Sequence, residues 1–131
     1  MVLKPAGTYH GTRQLDGGSY SHRVFLPGRD PAARVKMTLF TAVEGAEFKD
    51  VCYPVDETVH ITFGHGFIRT ANGEMLELSE GASYYVPAGE TYSLICTTQM
   101  TAVCFFSQAA DGTLPQDEPD LIKAKVRAKR H

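Results

Sequence analysis

The chain has 131 residues, a formal net charge of −2 and a pI near 6.2. This length suits one domain with its own core, and the charge balance provides no basic field for nucleic acid. The longest apolar runs are far too short to cross a membrane. An N-terminus without an apolar secretory segment predicts a cytoplasmic protein. Three cysteines without CxxC spacing argue against a disulfide framework or a structural zinc site.

Residues 1–34 are predicted to form an N-terminal arm of short strands, because glycine and proline recur throughout this stretch. Within the arm, Ser19 to Leu26 reads as a strand that ends at a Pro-Gly turn. A second strand follows, where apolar and other residues alternate with a period of two. One face of that strand carries Val35, Met37, Leu39 and Thr41, and the other carries Lys36, Thr38 and Phe40.

The strand that begins at Glu57 has the clearest alternation. Glu57 shares one face with Val59, Ile61 and Phe63, and the opposite face carries Thr58, His60 and Thr62. Glu57 is therefore predicted to point into the core. A carboxylate in that position must be paired, bound to a metal or raised in pKa. This local pattern marks a candidate site.

The next elements are predicted to be further strands. Asn72-Gly73 indicates a hairpin turn, after which Leu76 and Leu78 should face inward and Met75 outward. Residues 100–106 form a largely apolar run that is typical of a buried strand.

The C-terminal tail, residues 108–131, is polar at first and then basic. We expect residues 121–131 to form a short helix that packs on the rest of the domain, since the stretch lacks glycine and proline. A basic arm for an anionic partner is the alternative.

Two glycine-punctuated runs resemble the signatures of the cupin superfamily. The first is Glu57 with six residues before Gly64, and the second runs from Gly81 through Pro87 and Gly89 to Tyr92. The histidines of the cupin signatures are absent, because their positions fall on Val51-Cys52-Tyr53, or the triplet one residue earlier, and on Tyr92. Among cupins without these histidines, the chain looks most similar to the ethanolamine-utilisation EutQ-type group.

The resemblance implies an all-β, single-domain jelly-roll barrel with its core in residues 35–107. If Tyr92 follows the family's placement, then Tyr92, Leu94 and Cys96 point inward. It also implies a homodimer, which exposed strand faces and an aromatic N-terminal arm would suit.

Within such a barrel, Glu57 and Tyr92 are the candidate catalytic residues. The carboxylate would take a proton next to a carbonyl, and the phenol would donate to the developing enolate oxygen. This predicts a lyase, isomerase or cyclase acting on a small carboxylate or carbonyl compound. Candidate substrate-binding residues are Tyr53, Arg34, Arg69, Tyr85 and His10.

No cofactor is expected for this chemistry. A divalent metal held by Cys52, Glu57 and Tyr92 is the weaker alternative, because first-row ions favour imidazole in mixed sites. Two further hypotheses stay open. One is a non-catalytic binding or structural module of the EutQ kind, and the other is an iron-dependent dioxygenase, which the missing histidines disfavour.

Overall fold

The computed structural model describes residues 1–30, 33–107 and 125–128, and within them the chain is all-β apart from a 3-10 turn at Asp16–Gly18. The strands are β1 (Gly11–Gln14), β2 (Tyr20–Phe25), β3 (Lys36–Ala42), β4 (Ala46–Val51), β5 (Glu57–Phe63), β6 (Gly66–Thr70), β7 (Met75–Leu78), β8 (Ser83–Val86), β9 (Tyr92–Cys96), β10 (Met100–Phe106) and β11 (Lys125–Ala128). No helix long and apolar enough to span a membrane is found in this part of the chain.

The strands form two antiparallel sheets of a jelly-roll barrel. The larger sheet has the order β1-β2-β3-β10-β5-β8, and the smaller has the order β11-β4-β9-β6-β7. Strands adjacent in sequence are thus often separated in space, and β10 inserts between β3 and β5. This topology places Glu57 on β5 in one sheet and Tyr92 on β9 in the other.

The core lies between the two sheets. Val59 and Ile61 of β5 are each 1% exposed, and they belong to one buried cluster with Phe48 of β4 and Leu94 of β9. Inward side chains of both sheets therefore interdigitate, as in other sandwich and jelly-roll architectures.

Gly64, the glycine that ends the first signature, marks a close approach of two backbones. It has a φ of 98°, and a Cβ on it would lie 2.2 Å from the carbonyl oxygen of Gln99. Only glycine fits both the dihedral and the space. The spacing from Glu57 to this glycine is thus set by the length of β5 and the turn that follows it.

Several expectations for individual strands need correction. Phe63 does not share the buried face of Glu57. It is 53% exposed, because the pairing of β5 with β10 shifts register at Thr101 and leaves Thr62 as an extra residue. Leu76 faces the same side as its partner Ile68, but it lies on the edge strand β7 and remains largely exposed.

The tail does not form the predicted helix where the structure describes it. Residues 125–128 are strand β11, which pairs with β4 from Lys125 opposite Lys49 to Ala128 opposite Ala46. The open edge of β4 offers unpaired backbone groups, and a short extended segment satisfies them. The predictions for residues 108–124 and 129–131 lie outside the described part of the chain.

Candidate active site in the barrel

A cavity of about 100 Å³ opens between the sheets, many times the roughly 10–15 Å³ that one water molecule needs on this measure. Its lining combines apolar side chains with an unusual set of polar ones. The residues with titratable or hydroxyl groups are Arg13, Ser21, Arg23, Lys36, Thr38, Tyr53, Glu57, Tyr84, Tyr92 and Cys104.

Glu57 and Tyr92 are in direct contact at this cavity. The Tyr92 hydroxyl donates a hydrogen bond of 2.5 Å to Oε1 of Glu57, and the two residues are only 6% and 4% exposed. Burial raises the pKa of Glu57 to about 7, although the hydrogen bond from Tyr92 opposes the shift. The carboxyl group is therefore divided between its acid and base forms near neutral pH.

Two further phenols surround this pair. Tyr84 lies in an edge-to-face contact with Tyr92, with ring centroids 6.0 Å apart, and Tyr53 makes a similar contact with Phe106 at 4.8 Å. Burial raises the pKa of all three tyrosines well above the ordinary value, and the negative charge of Glu57 adds to the effect. They therefore stay protonated near neutral pH and are able to donate hydrogen bonds.

The other half of the cavity carries positive charge. Arg13, Arg23 and Lys36 reach it from β1, β2 and β3 respectively. Lys36 is 4% exposed, and its Nζ lies 5.5 Å from the ring centroid of Phe106. The inward face of β3 is thus the one with Lys36 and Thr38, whereas Val35 is 39% exposed.

The structure brings together some of the predicted site residues. Tyr53 lines the cavity with Glu57 and Tyr92, and Leu94 and Cys96 are buried beside Tyr92 on β9 as expected. Cys52 is buried but is not among the cavity-lining residues.

The other four predicted substrate-binding residues lie outside the cavity. Arg34 is exposed before β3, and a guanidinium nitrogen of Arg69 is 3.9 Å from Glu47. Tyr85 is 57% exposed and donates a hydrogen bond to Asp56. His10 pairs with Asp30, at 2.8 Å.

Tyr84, rather than Tyr85, is the tyrosine of β8 that faces inward. Its cross-strand partner is Val59, which is fully buried, and the next inward position on β8 is Val86 opposite Glu57. The signal was present in the sequence, since strand alternation places Tyr84 on the face of Val86.

Comparison with known proteins finds similar solved structures for this barrel. No protein-family model and no curated protein matches the sequence. Among solved structures, an ectoine synthase from P. lautus aligns with a TM-score of 0.68 and 23% identity, over 82% of this chain and 78% of that chain. An RmlC-like cupin from Shewanella frigidimarina aligns at 0.64 and 16%, over 82% of this chain and 95% of that one.

The chain has the cupin fold. A further similar structure is a putative ethanolamine utilization protein Q from Salmonella typhimurium, with a TM-score of 0.60 and 13% identity over 69% of each chain. A EutQ protein is thus among its structural neighbours, as the resemblance in the sequence implied.

The described residues do not fit the metal centre that cupin signatures imply. They contain no cluster of three or more His, Cys, Asp or Glu side chains that could hold a metal ion. Beside Glu57 the cavity offers phenols and the thiol of Cys104, and burial raises the pKa of each well above its ordinary value. Protonated phenols and thiols are poor ligands. First-row ions in mixed sites favour imidazole, which none of the described cavity-lining residues provides.

Proposed function

We propose that this cupin is an enzyme that removes a proton from carbon next to a carbonyl group in a small molecule. It would act as a lyase, isomerase or cyclase, with Glu57 as the base and Tyr92 as the acid. One observation carries the proposal: a buried carboxyl group with a pKa near 7 is hydrogen-bonded to a buried phenol at the wall of a cavity.

The proposed reaction begins with the ionised form of Glu57. Its carboxylate takes the proton of the acidic C–H bond, and the electron pair of that bond moves onto the carbonyl oxygen. Tyr92 then turns its hydroxyl from Glu57 to that oxygen and stabilises the enolate by a hydrogen bond. Return of the proton to another carbon gives isomerisation, and loss of a β-substituent gives elimination.

Burial favours this chemistry in two ways. It raises the pKa of Glu57 towards the working pH, where a general base is most effective. It also strengthens the hydrogen bond to the enolate, because the site is shielded from water. Two enzymes with similar structures, an ectoine synthase and a salicylate 1,2-dioxygenase from Pseudoaminobacter salicylatoxidans, support a catalytic use of the barrel.

Hydrogen–deuterium exchange tests the proposal without knowledge of the full reaction. A panel of small carbonyl and carboxylate compounds is incubated with the protein in D₂O, and loss of C–H signals is followed by proton NMR. We expect exchange of at least one compound, reduced about 100-fold or more in Glu57→Gln and less strongly in Tyr92→Phe. Asp56→Asn is the matched control, because Asp56 is the neighbouring carboxyl group and its pKa is lowered by the hydrogen bond from Tyr85.

Exchange that is unchanged in Glu57→Gln would contradict the proposed base. Binding without any exchange would favour the non-catalytic alternative, a ligand-binding or structural module like its EutQ neighbour. Exchange that EDTA abolishes and a divalent metal restores would favour the metal-dependent alternative, in which Glu57, Tyr92 and Cys52 were the predicted ligands.

A further inference from the structure

We propose that the substrate is a small carboxylate whose anionic group is held by Arg13, Arg23 and Lys36, opposite Glu57. This inference rests on the proposed function and gives its substrate a chemical class. The observation behind it is that the larger sheet places cationic side chains at one end of the cavity and Glu57 at the other.

The register of the larger sheet fixes this separation. Directly opposed residues on neighbouring antiparallel strands point to the same face, so two inward rows can be followed across the sheet. One row is Lys36, Phe106, Glu57 and Val86. The next row is Gly11, Arg23, Thr38, Cys104, Val59 and Tyr84. In both rows the cation lies at the β2–β3 end and the acid or phenol at the β5–β8 end.

The two ends are close enough for one small ligand. Lys36 on β3 and Glu57 on β5 are separated by β10 alone, which corresponds to roughly 10 Å between their Cα atoms. Both side chains extend into the same cavity of about 100 Å³. A molecule that places its carboxylate at the cationic end can therefore present an adjacent carbon to Glu57.

The position of Arg23 depends on a glycine opposite it. A Cβ on Gly11 would lie 2.8 Å from a terminal guanidinium nitrogen of Arg23, so the guanidinium packs against the backbone of β1. Arg13, two residues along the same strand, also lines the cavity. Guanidinium groups bind carboxylates through two parallel hydrogen bonds, and strand β1 helps to hold both of them at this end.

The positive charge extends from solvent to the interior. Arg13 is exposed, Arg23 is partly buried and Lys36 is buried. Each of the three also has an interaction within the protein, so a bound carboxylate would join existing contacts. Glu57 is the sole acidic side chain among the described lining residues, and this balance favours an anion over a neutral or cationic ligand.

Calorimetric titration with malonate tests the inference, because malonate is a small carboxylate and its uncharged diamide, malonamide, has a nearly identical shape. We expect malonate to bind the full-length protein at low salt and malonamide to bind at least about tenfold more weakly. Arg23→Gln and Lys36→Met should each weaken malonate binding about tenfold or more. Arg69→Gln, an arginine outside the cavity, should bind malonate like the wild type.

Equal binding of malonate and malonamide would overturn the inference, as would malonate binding that neither Arg23→Gln nor Lys36→Met weakens. The same holds if inorganic phosphate binds through these residues and malonate does not. Circular dichroism shows whether each variant is folded. Because Arg23→Gln and Lys36→Met are independent, the inference can still be tested if one of them does not fold. Glu57→Gln should retain malonate binding, so a failure of the proposed base would be seen separately as unchanged proton exchange.

Discussion

At the scale of single residues, burial of Glu57 destabilises the fold when the carboxyl group is ionised, and the same burial gives the group a pKa that suits a base. A buried carboxylate is unfavourable unless hydrogen bonds compensate for lost water, and here Tyr92 supplies one such bond. Because burial raises the pKa of Glu57 from 4.5 to about 7, the folded state binds a proton more tightly than the unfolded chain. Stability from this group is therefore present below pH 4.5 and is lost as the pH rises through 7.

This linkage predicts how Glu57→Gln changes the pH dependence of unfolding. The wild type should lose up to about 3 kcal/mol of unfolding free energy between pH 4.5 and 7.5 through this group. The variant should lack that loss, since glutamine does not titrate. Urea denaturation at several pH values measures the difference. Asp56→Asn serves as control, because the lowered pKa of Asp56 keeps its titration below this range. Parallel profiles for wild type and Glu57→Gln would show that burial does not shift the carboxyl group.

At the scale of elements, one buried aspartate after β2 holds the segment that precedes β1, the strand that carries Arg13. Asp30 accepts a hydrogen bond of 2.7 Å from the Leu26 amide and pairs with Lys4 and His10 at 2.7 and 2.8 Å. Burial raises its pKa, but the contacts with Lys4, Leu26 and His10 outweigh burial and lower it to about 2. Asp30 thus stabilises the fold above pH 3.8, and this contribution is lost as the pH falls through 2.

We expect Asp30→Asn to lower the unfolding free energy by about 1–3 kcal/mol at neutral pH. The amide keeps an acceptor for Leu26 but loses the charge that Lys4 faces. Amide hydrogen exchange should show faster opening in the segment up to β1, since residues before it depend on this anchor. An exchange pattern equal to that of the wild type would show that the segment before β1 does not depend on Asp30.

At the scale of the whole molecule, sequence patterns were sufficient to predict the barrel fold and the inward orientation of Glu57 and Tyr92. The spacing from Glu57 to Gly64 reflects the length of β5 and a close backbone contact at Gly64, and the spacing from Gly81 to Tyr92 reflects the length of β8 and turns with positive φ at Gly81 and Gly89, so both indicated the fold. Alternation along β5 then placed Glu57 inward, and the second signature placed Tyr92 beside it.

The cationic half of the cavity was not predictable in the same way. Alternation along β3 places Met37 and Leu39 together with Val35 on the face opposite Lys36, and a mostly apolar face is normally assigned to the core. In this barrel the face with Lys36, Thr38 and Phe40 is the one that lines the cavity. The register that aligns Lys36 with Glu57 through Phe106 depends on the insertion of β10 between β3 and β5, and local patterns carry no information about that insertion.

The proposed chemistry requires a carboxyl group in the cavity that is able to act as a base near neutral pH. NMR titration of the protein labelled with ¹³C at the glutamate carboxyl carbons measures this directly, and Glu57→Gln assigns the signal. We predict a midpoint for Glu57 near pH 7, in line with its burial, and a higher midpoint in Tyr92→Phe, which removes the hydrogen bond to the carboxylate. A midpoint near the ordinary value of 4.5, unaffected by Tyr92→Phe, would show that Glu57 is not a base tuned to neutral pH by burial and by Tyr92.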